Sequence, residues 1–280
     1  MTTPPTRLVL VIGAMKCGTT SLFQYLGDHP DVLPSRTKQL NFFSDPEVWA
    51  RGMEWYRRQW PSSPTDPWHL EASPSYTYPE RVRDAADRIA GLEGDVRLIY
   101  LVRNPIERIE SHYFHGFHRG EFSATPSIAE AVRRHPRLLD VTRYRRWIDV
   151  YRQRVGDERL LVLHSHELDR RPVEALAEVC HFLDIDPTFQ FPDLGTRYNT
   201  QAMQASDHPA VEALGRLEWL RGIVRRAMPL RVREKLKLRL KPEVEADGPT
   251  PFRLNPADRE WVLTQLADDV AGLFSSDTDQ

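Results

Sequence analysis

The sequence predicts an α/β domain in which helices flank a central parallel sheet, built by a single chain of 280 residues. Three observations carry that prediction. Apolar runs recur at 8–12, at 96–102 (broken only by Arg97) and within 159–164, where Leu160 to Leu163 lie between Arg159 and His164, each the length of a buried strand. Each run gives way to a polar or glycine-bearing turn and then to residues that open helices: Gly13 to Gly18 before Thr19, Asn104-Pro105, and Ser165-His166. With 40% hydrophobic and 28% charged residues, the chain can bury one full core as a single domain over 1–280.

The first of these units organises the rest. RLVLVIG runs into AMKCG and then into a helix opened by Thr19, Thr20 and Ser21. A helix start leaves backbone N–H groups unpaired and carries the positive end of the helix dipole, so it suits an anion. Lys16 supplies a full positive charge inside the loop. The domain is therefore P-loop-like, with a difference. The ordinary nucleoside-triphosphate loop has its lysine directly after the last glycine, whereas Gly18 is followed by Thr19 and Lys16 lies earlier. That keeps phosphate binding and weakens a nucleotide-dependent kinase as an alternative, as does the lack of a clear magnesium-binding acid after a strand.

The unit at 95–108 repeats the pattern: Arg103 ends a strand, Asn104-Pro105 caps and starts a helix, and Ser111 follows within it. On that helix Ser111 and His115 are four apart and share a face, so His115 is expected toward the anion pocket and His112 elsewhere. His118 lies near the same face if the helix outlasts Gly116. An imidazole at such a place can take a proton at neutral pH.

Global properties narrow the classes. Net charge is −2, so no overall field favours nucleic acid. No apolar run reaches the ~20 residues of a membrane span, and MTTPPT is no signal peptide, so a cytoplasmic location is expected. Two cysteines, Cys17 and Cys180, are too few for a disulfide framework or a zinc site. Cys17 at a helix start could be reactive, but reads more simply as a small loop filler.

The loop GAMKCGTTSLFQYLGDHPDV resembles the 5′-phosphosulfate loop of sulfotransferases that use 3′-phosphoadenosine 5′-phosphosulfate. The similarity points in particular to the branch of bacterial sulfotransferase domains and heparan-sulfate N- and 3-O-sulfotransferases. The resemblance implies that Lys16, Cys17, Gly18, Thr19, Thr20 and Ser21 bind the 5′-phosphosulfate and that Arg103 with Ser111 binds the 3′-phosphate. It also implies 3′-phosphoadenosine 5′-phosphate as product, no metal, and a small-molecule or carbohydrate acceptor offering a hydroxyl or amine.

Members of that family carry a glutamate, the usual general base, before a Phe-Phe pair. Here Gln39 stands in its place, with Phe42 and Phe43 following; an amide cannot accept the proton. HLEASPSYTY, expected as the second strand, offers Glu71 at the sheet edge, and Ala72 replaces the catalytic lysine of the heparan enzymes. Glu71 and His115 thus become the candidate bases beside Lys16, and Gln39, Phe42, Phe43 and Tyr76 the candidate acceptor contacts. The losses at 39 and 72 keep open a nucleotide-binding or scaffold protein without chemistry.

The remaining segments read as follows. Residues 31–45 form a polar connection, and Trp49, Met53, Tyr56 and Trp60 suggest one amphipathic helix over 46–61 that packs on the core. Residues 119–139 look like a loop or short helix over the site, 143–155 a helix, and 165–186 a cap and helix. A segment at 205–250, strongly basic from 216 to 241, suggests a solvated helix or flap, and 255–274 a final helix. TRYNTQ at 196–201 is similar to bacterial members, whereas a Lys-Gly-Arg loop is not recognisable near 248–255.

Overall fold

The computed structural model describes residues 6–122, 124–125, 127–192, 194 and 252–274. The basic segment at 205–250, the TRYNTQ segment and residues 248–251 of the 248–255 segment lie outside them. The described residues form one five-stranded, fully parallel sheet in the order β2-β3-β1-β4-β5. Its strands are β1 (Arg7–Gly13), β2 (Val32–Pro34), β3 (Trp68–Ala72), β4 (Asp95–Val102) and β5 (Leu160–His164). Strand β1 is central because nearly every side chain on it is apolar and can be buried on both faces: Leu8 to Ile12 are all 2% exposed or less.

The helices follow the strands: α1 (Thr19–Leu26), α2 (Pro46–Trp49), α3 (Gly52–Arg57), α4 (Val82–Ala90), α5 (Pro105–His118), α6 (Ile128–Arg134), α7 (Arg137–Asp140), α8 (Tyr144–Val155), α9 (Ser165–Arg170), α10 (Pro172–Leu183) and α11 (Pro256–Val270). Starts are written in the sequence. Asn104 caps α5 by accepting from the N–H groups of Ile106 and Glu107, and Asn255 caps α11 through Asp258 N–H. Pro105 and Pro256 occupy first-turn positions that need no donor.

Several expectations are corrected. Val32–Pro34 in the supposed polar connection is an edge strand that pairs with β3, so the strand at 69–78 is third rather than second. It also stops at Ala72, because Pro74 has no N–H for a ladder and starts a 3-10 turn over Pro74–Thr77. The single helix over 46–61 is two short helices, and the break falls where Gly52, the first residue of α3, turns the chain with a φ of +77° that a helix interior does not take. Its aromatic residues do pack on the core: Phe42 stacks on Tyr56 with centroids 4.4 Å apart and meets Trp49 at 5.0 Å. The 165–186 segment is two helices, since Pro172 opens a second one.

A second apolar cluster holds α5. Ile109, Tyr113 and Phe122 pack with Val132, Leu138, Val262 and Leu266, so α6, α7 and α11 buttress α5. Gly116 is required there, because a Cβ would overlap the Phe122 ring. Glu110, buried on α5, accepts from Leu254 N–H at 3.1 Å and from Arg253 at 2.7 Å, which ties the start of the C-terminal helix to α5. Among the described residues no helix is long and apolar enough to cross a membrane.

Removing that carboxylate leaves a buried N–H without its acceptor. Glu110→Ala is expected to lower unfolding free energy by about 1–3 kcal/mol, measured by urea denaturation.

Candidate functional site

All five strands end on one edge, and the two loops that carry the charged motifs meet there. The loop after β1 is bound to β4 through Ala14 N–H, which donates to Leu101 O at 2.8 Å. Gly13 permits this approach: a Cβ on it would lie 2.8 Å from the Tyr100 ring and within the Thr77 hydroxyl. Chain reversal then needs left-handed backbone at Lys16 (φ 71°) and Gly18 (φ 87°). Thr19, Thr20 and Ser21 follow as the first residues of α1, with their N–H groups at the open helix start.

Arg103 reaches this loop from β4. Its guanidinium donates to Lys16 O at 3.4 Å and is braced by Glu107, which accepts from Nε at 2.9 Å. Tyr144 fixes the Arg103 backbone by donating to its carbonyl at 2.9 Å. Two cations separated by most of ninety residues in sequence thus share one loop. Ser111 lies farther along α5 and is 5% exposed.

Burial, with the like charges of Arg103 and Arg108, pulls the Lys16 ammonium down to about 8. Cys17 faces the other way. Its side chain is fully buried against the Tyr144 hydroxyl at 3.7 Å, its N–H donates within the loop to Ala14 O at 3.2 Å, and burial pushes the thiol up to about 11. It is a loop filler rather than a reactive thiol, and both its side chain and its N–H make their contacts within the protein.

The candidate acceptor contacts divide. Gln39 is exposed and lines a cleft of about 290 Å³ with Asn41, Ser44, Ser75, Tyr78 and Arg81. Tyr78 connects the cleft to the loop, its hydroxyl 3.4 Å from Met15 Sδ. Phe42, Phe43 and Tyr76 are fully buried instead; the aromatic pair is core, which corrects the expectation that these three touch the acceptor.

Glu71 is also corrected. It is fully buried and accepts hydroxyl hydrogens from Tyr56 at 2.7 Å, Ser73 at 2.6 Å and Tyr76 at 2.6 Å. Burial raises its carboxyl, and the three hydroxyl bonds oppose that. A carboxylate whose lone pairs are already filled by the protein joins β3 to α3 and to the turn after β3; it is not a base waiting for a substrate proton.

The sequence reading missed Arg108 and His112. Arg108 is fully buried, its charge acts on Lys16, and its Nε has no hydrogen-bond partner. It donates to His112 Nδ1 at 3.0 Å. A guanidinium can only donate, so Nδ1 accepts and neutral His112 carries its proton on Nε2. Burial first, then the charges of Arg108, Arg137 and Lys16, hold His112 well below the usual histidine range. His112, expected to point elsewhere, therefore belongs to this electropositive cluster, while His115, one turn after Ser111, is half-buried. The four-residue spacing of Arg108 and His112 was a readable signal, since it puts both on one helix face.

An anion cradle at the switch point of a parallel sheet, with a lysine and an arginine on adjacent loops, is chemistry suited to a phosphorylated ligand. The comparisons give the family. The sulfotransferase domain model matches residues 6–208, so the chain belongs to the sulfotransferase domain family. A mouse relative, heparan sulfate glucosamine 3-O-sulfotransferase 5, is 35% identical over 104 residues, which cover 37% of this chain and 29% of the relative. The chain thus spans less than a third of the length of the curated relatives it matches. A sulfotransferase from Alicyclobacillus acidocaldarius shares the fold with a TM-score of 0.66 at 21% identity, over 97% of this chain and 94% of that one. A mouse sulfotransferase solved with PAP superposes with a TM-score of 0.50 at 14% identity, over 98% of this chain and 86% of that one. The P-loop-like expectation for the fold is met, and family membership sets the kinase alternative aside.

If Glu71 is a structural hub, Glu71→Gln weakens the protein, because the amide nitrogen that replaces one carboxylate oxygen is a donor and cannot accept the hydroxyl hydrogen bonded there. A loss of about 1–3 kcal/mol in unfolding free energy is expected, with turnover in the folded variant within about threefold of wild type on the same basis. A large fall in turnover at unchanged stability would restore Glu71 as the base.

Proposed function

We propose that this chain transfers a sulfuryl group from 3′-phosphoadenosine 5′-phosphosulfate to a hydroxyl or amine of a small-molecule or glycan acceptor. The observation that carries the reading is the meeting of Arg103 with the Lys16 loop, 3.4 Å from Nη1 to the Lys16 carbonyl. A ligand that spans both loops needs two separated anionic groups. The N–H groups of Gly18 to Ser21 and the threonine hydroxyls would hold the 5′-phosphate, and Arg103 with Ser111 the 3′-phosphate.

The donor set fits a doubly phosphorylated nucleotide, since it offers charge and N–H donors on two adjoining loops. The acceptor atom would attack sulfur in line while the bond from sulfur to the 5′-phosphate oxygen breaks. Lys16 would offset the negative charge that builds on the departing oxygen. Binding and alignment would supply much of the rate, as in phosphoryl transfer.

The acceptor would enter the cleft beside Gln39, where the Ser75 hydroxyl donates to Asn41 Oδ1 at 2.7 Å and meets the Ser44 hydroxyl at 2.7 Å. With Glu71 caged and Gln39 an amide, His115, one turn after Ser111 on α5, would accept the acceptor's proton. The exposed amide of Gln39 also favours a second reading, in which the chain binds the nucleotide without turning it over.

Calorimetric titration of 3′-phosphoadenosine 5′-phosphate, with ADP and ATP as comparators, tests the cofactor. Wild type is expected to prefer the 3′-phosphorylated ligand, and Arg103→Ala to lose about tenfold or more of that affinity. A preference for ATP, or no nucleotide binding, overturns the proposal. Turnover then separates enzyme from binding protein: Lys16→Ala is expected to cut it about 10²–10³-fold with the fold intact.

The lowered Lys16 ammonium adds a pH dependence. The protonated form binds the anion, so affinity is full below about 8 and falls as pH rises through it. Ligand binding pulls the ammonium back up, so the complex takes up a proton. Titration at pH 8 to 9 in buffers of different ionisation enthalpy should detect that uptake in wild type and not in Lys16→Ala.

A further inference from the structure

We propose that Lys38 is a positioning residue for the 5′-phosphate, acting through the hydroxyls of Thr19 and Thr20; this rests on the cofactor reading above. Lys38 lies between β2 and α2, beside the exposed Gln39, yet it is only 8% exposed. Its backbone hangs on the C-terminal edge of the sheet, where its carbonyl accepts from Ala72 N–H at 3.2 Å. From there the side chain crosses to the start of α1 and Nζ donates to Thr20 Oγ1 at 2.8 Å and to Thr19 Oγ1 at 3.2 Å.

The direction of those two bonds matters. An ammonium has hydrogens to give and no lone pair to accept with, so both threonine oxygens must be acceptors toward Lys38. Each hydroxyl hydrogen therefore turns away from Lys38 and becomes a donor for something else. A threonine hydroxyl free to rotate can present either its lone pair or its hydrogen to an incoming anion. Lys38 removes that choice before the ligand arrives, and its charge polarises both O–H groups in the donating sense. Preorganised donors of this kind cost no reorganisation at the moment charge develops on the leaving oxygen.

The same contacts would also serve a plain strut between the Lys38 segment and α1, so the test must separate the two. Lys38→Met keeps the length of the side chain and removes the charge and the donors. Two probes are titrated into it: 3′-phosphoadenosine 5′-phosphate, and adenosine 3′-phosphate, which lacks the 5′-phosphate.

The expected result is a loss of about tenfold or more for the first probe and no change for the second, whereas Arg103→Ala weakens both. In a Thr19→Val, Thr20→Val background, Lys38→Met is expected to add little further loss, because its route to the phosphate is gone. Lys38→Arg, which keeps charge and donors, should recover part of the affinity, and it takes the same two titrations should Lys38→Met fail to fold.

Equal affinity of wild type and Lys38→Met for both probes overturns the inference. So does a parallel loss for both probes with a lowered melting temperature, which is the signature of a strut, or a full additive loss in the valine background. Wild type that does not distinguish the 3′-phosphorylated probe from ADP overturns the cofactor reading itself, and this inference with it.

Discussion

The hydrogen bond from Ala14 N–H to Leu101 O, 2.8 Å long, is the constraint on which the site depends. It carries the pairing of β1 with β4 past the end of the ladder and draws the anion loop against the strand that ends in Arg103. With the loop held there, Arg103 can reach the Lys16 carbonyl, and the left-handed backbone at Lys16 and Gly18 turns the chain into α1. Without it, the loops that carry the lysine and the arginine would not be drawn together. Gly13 makes room for the bond, since any side chain there would strike Tyr100 and Thr77.

Charge in this region is concentrated. Lys16, Arg103 and Arg108 all contribute to one field, and its effects are visible in the lowered Lys16 ammonium and in a His112 held neutral. Holding cations together in a partly dry site costs free energy that an anion can offset. Arg108 shows this most plainly, a fully buried guanidinium whose Nε has no hydrogen-bond partner. Glu71 is satisfied by three hydroxyls and ties β3 to the aromatic cluster around Phe42 and Tyr56. Glu71 thus stabilises the frame, with its lone pairs committed to the protein's own hydroxyls.

Helix α5 connects frame and site. Its first turn is fixed by Asn104, its middle carries Arg108, Ser111 and His112, and its outer face is packed by α6, α7 and α11. Glu110 draws the C-terminal segment onto the same helix. Residues far apart in sequence therefore set the position of a helix that bears the second charged motif.

The sequence by itself determined the parallel α/β class, the strands at β1, β4 and β5, the anion loop, the Arg103–Ser111 motif and the capped starts of α5 and α11. These depend on local chemistry: unbroken apolar runs, glycines that allow positive φ, and Asn-Pro at helix starts. It did not show the edge strand at Val32–Pro34, too short for a pattern, nor the break at Gly52 inside a run whose aromatic spacing imitated one helix. Tertiary structure alone decided which polar residues are available. Glu71, Phe42, Phe43 and Tyr76 sit at plausible positions along the chain, but burial and partners turned them into core, while Lys38, Arg108 and His112 became part of the cradle's surroundings. Periodicity tells which face of an element a residue occupies; what lies opposite that face is fixed only when distant segments pack, and a carboxylate's chemistry depends on what lies opposite.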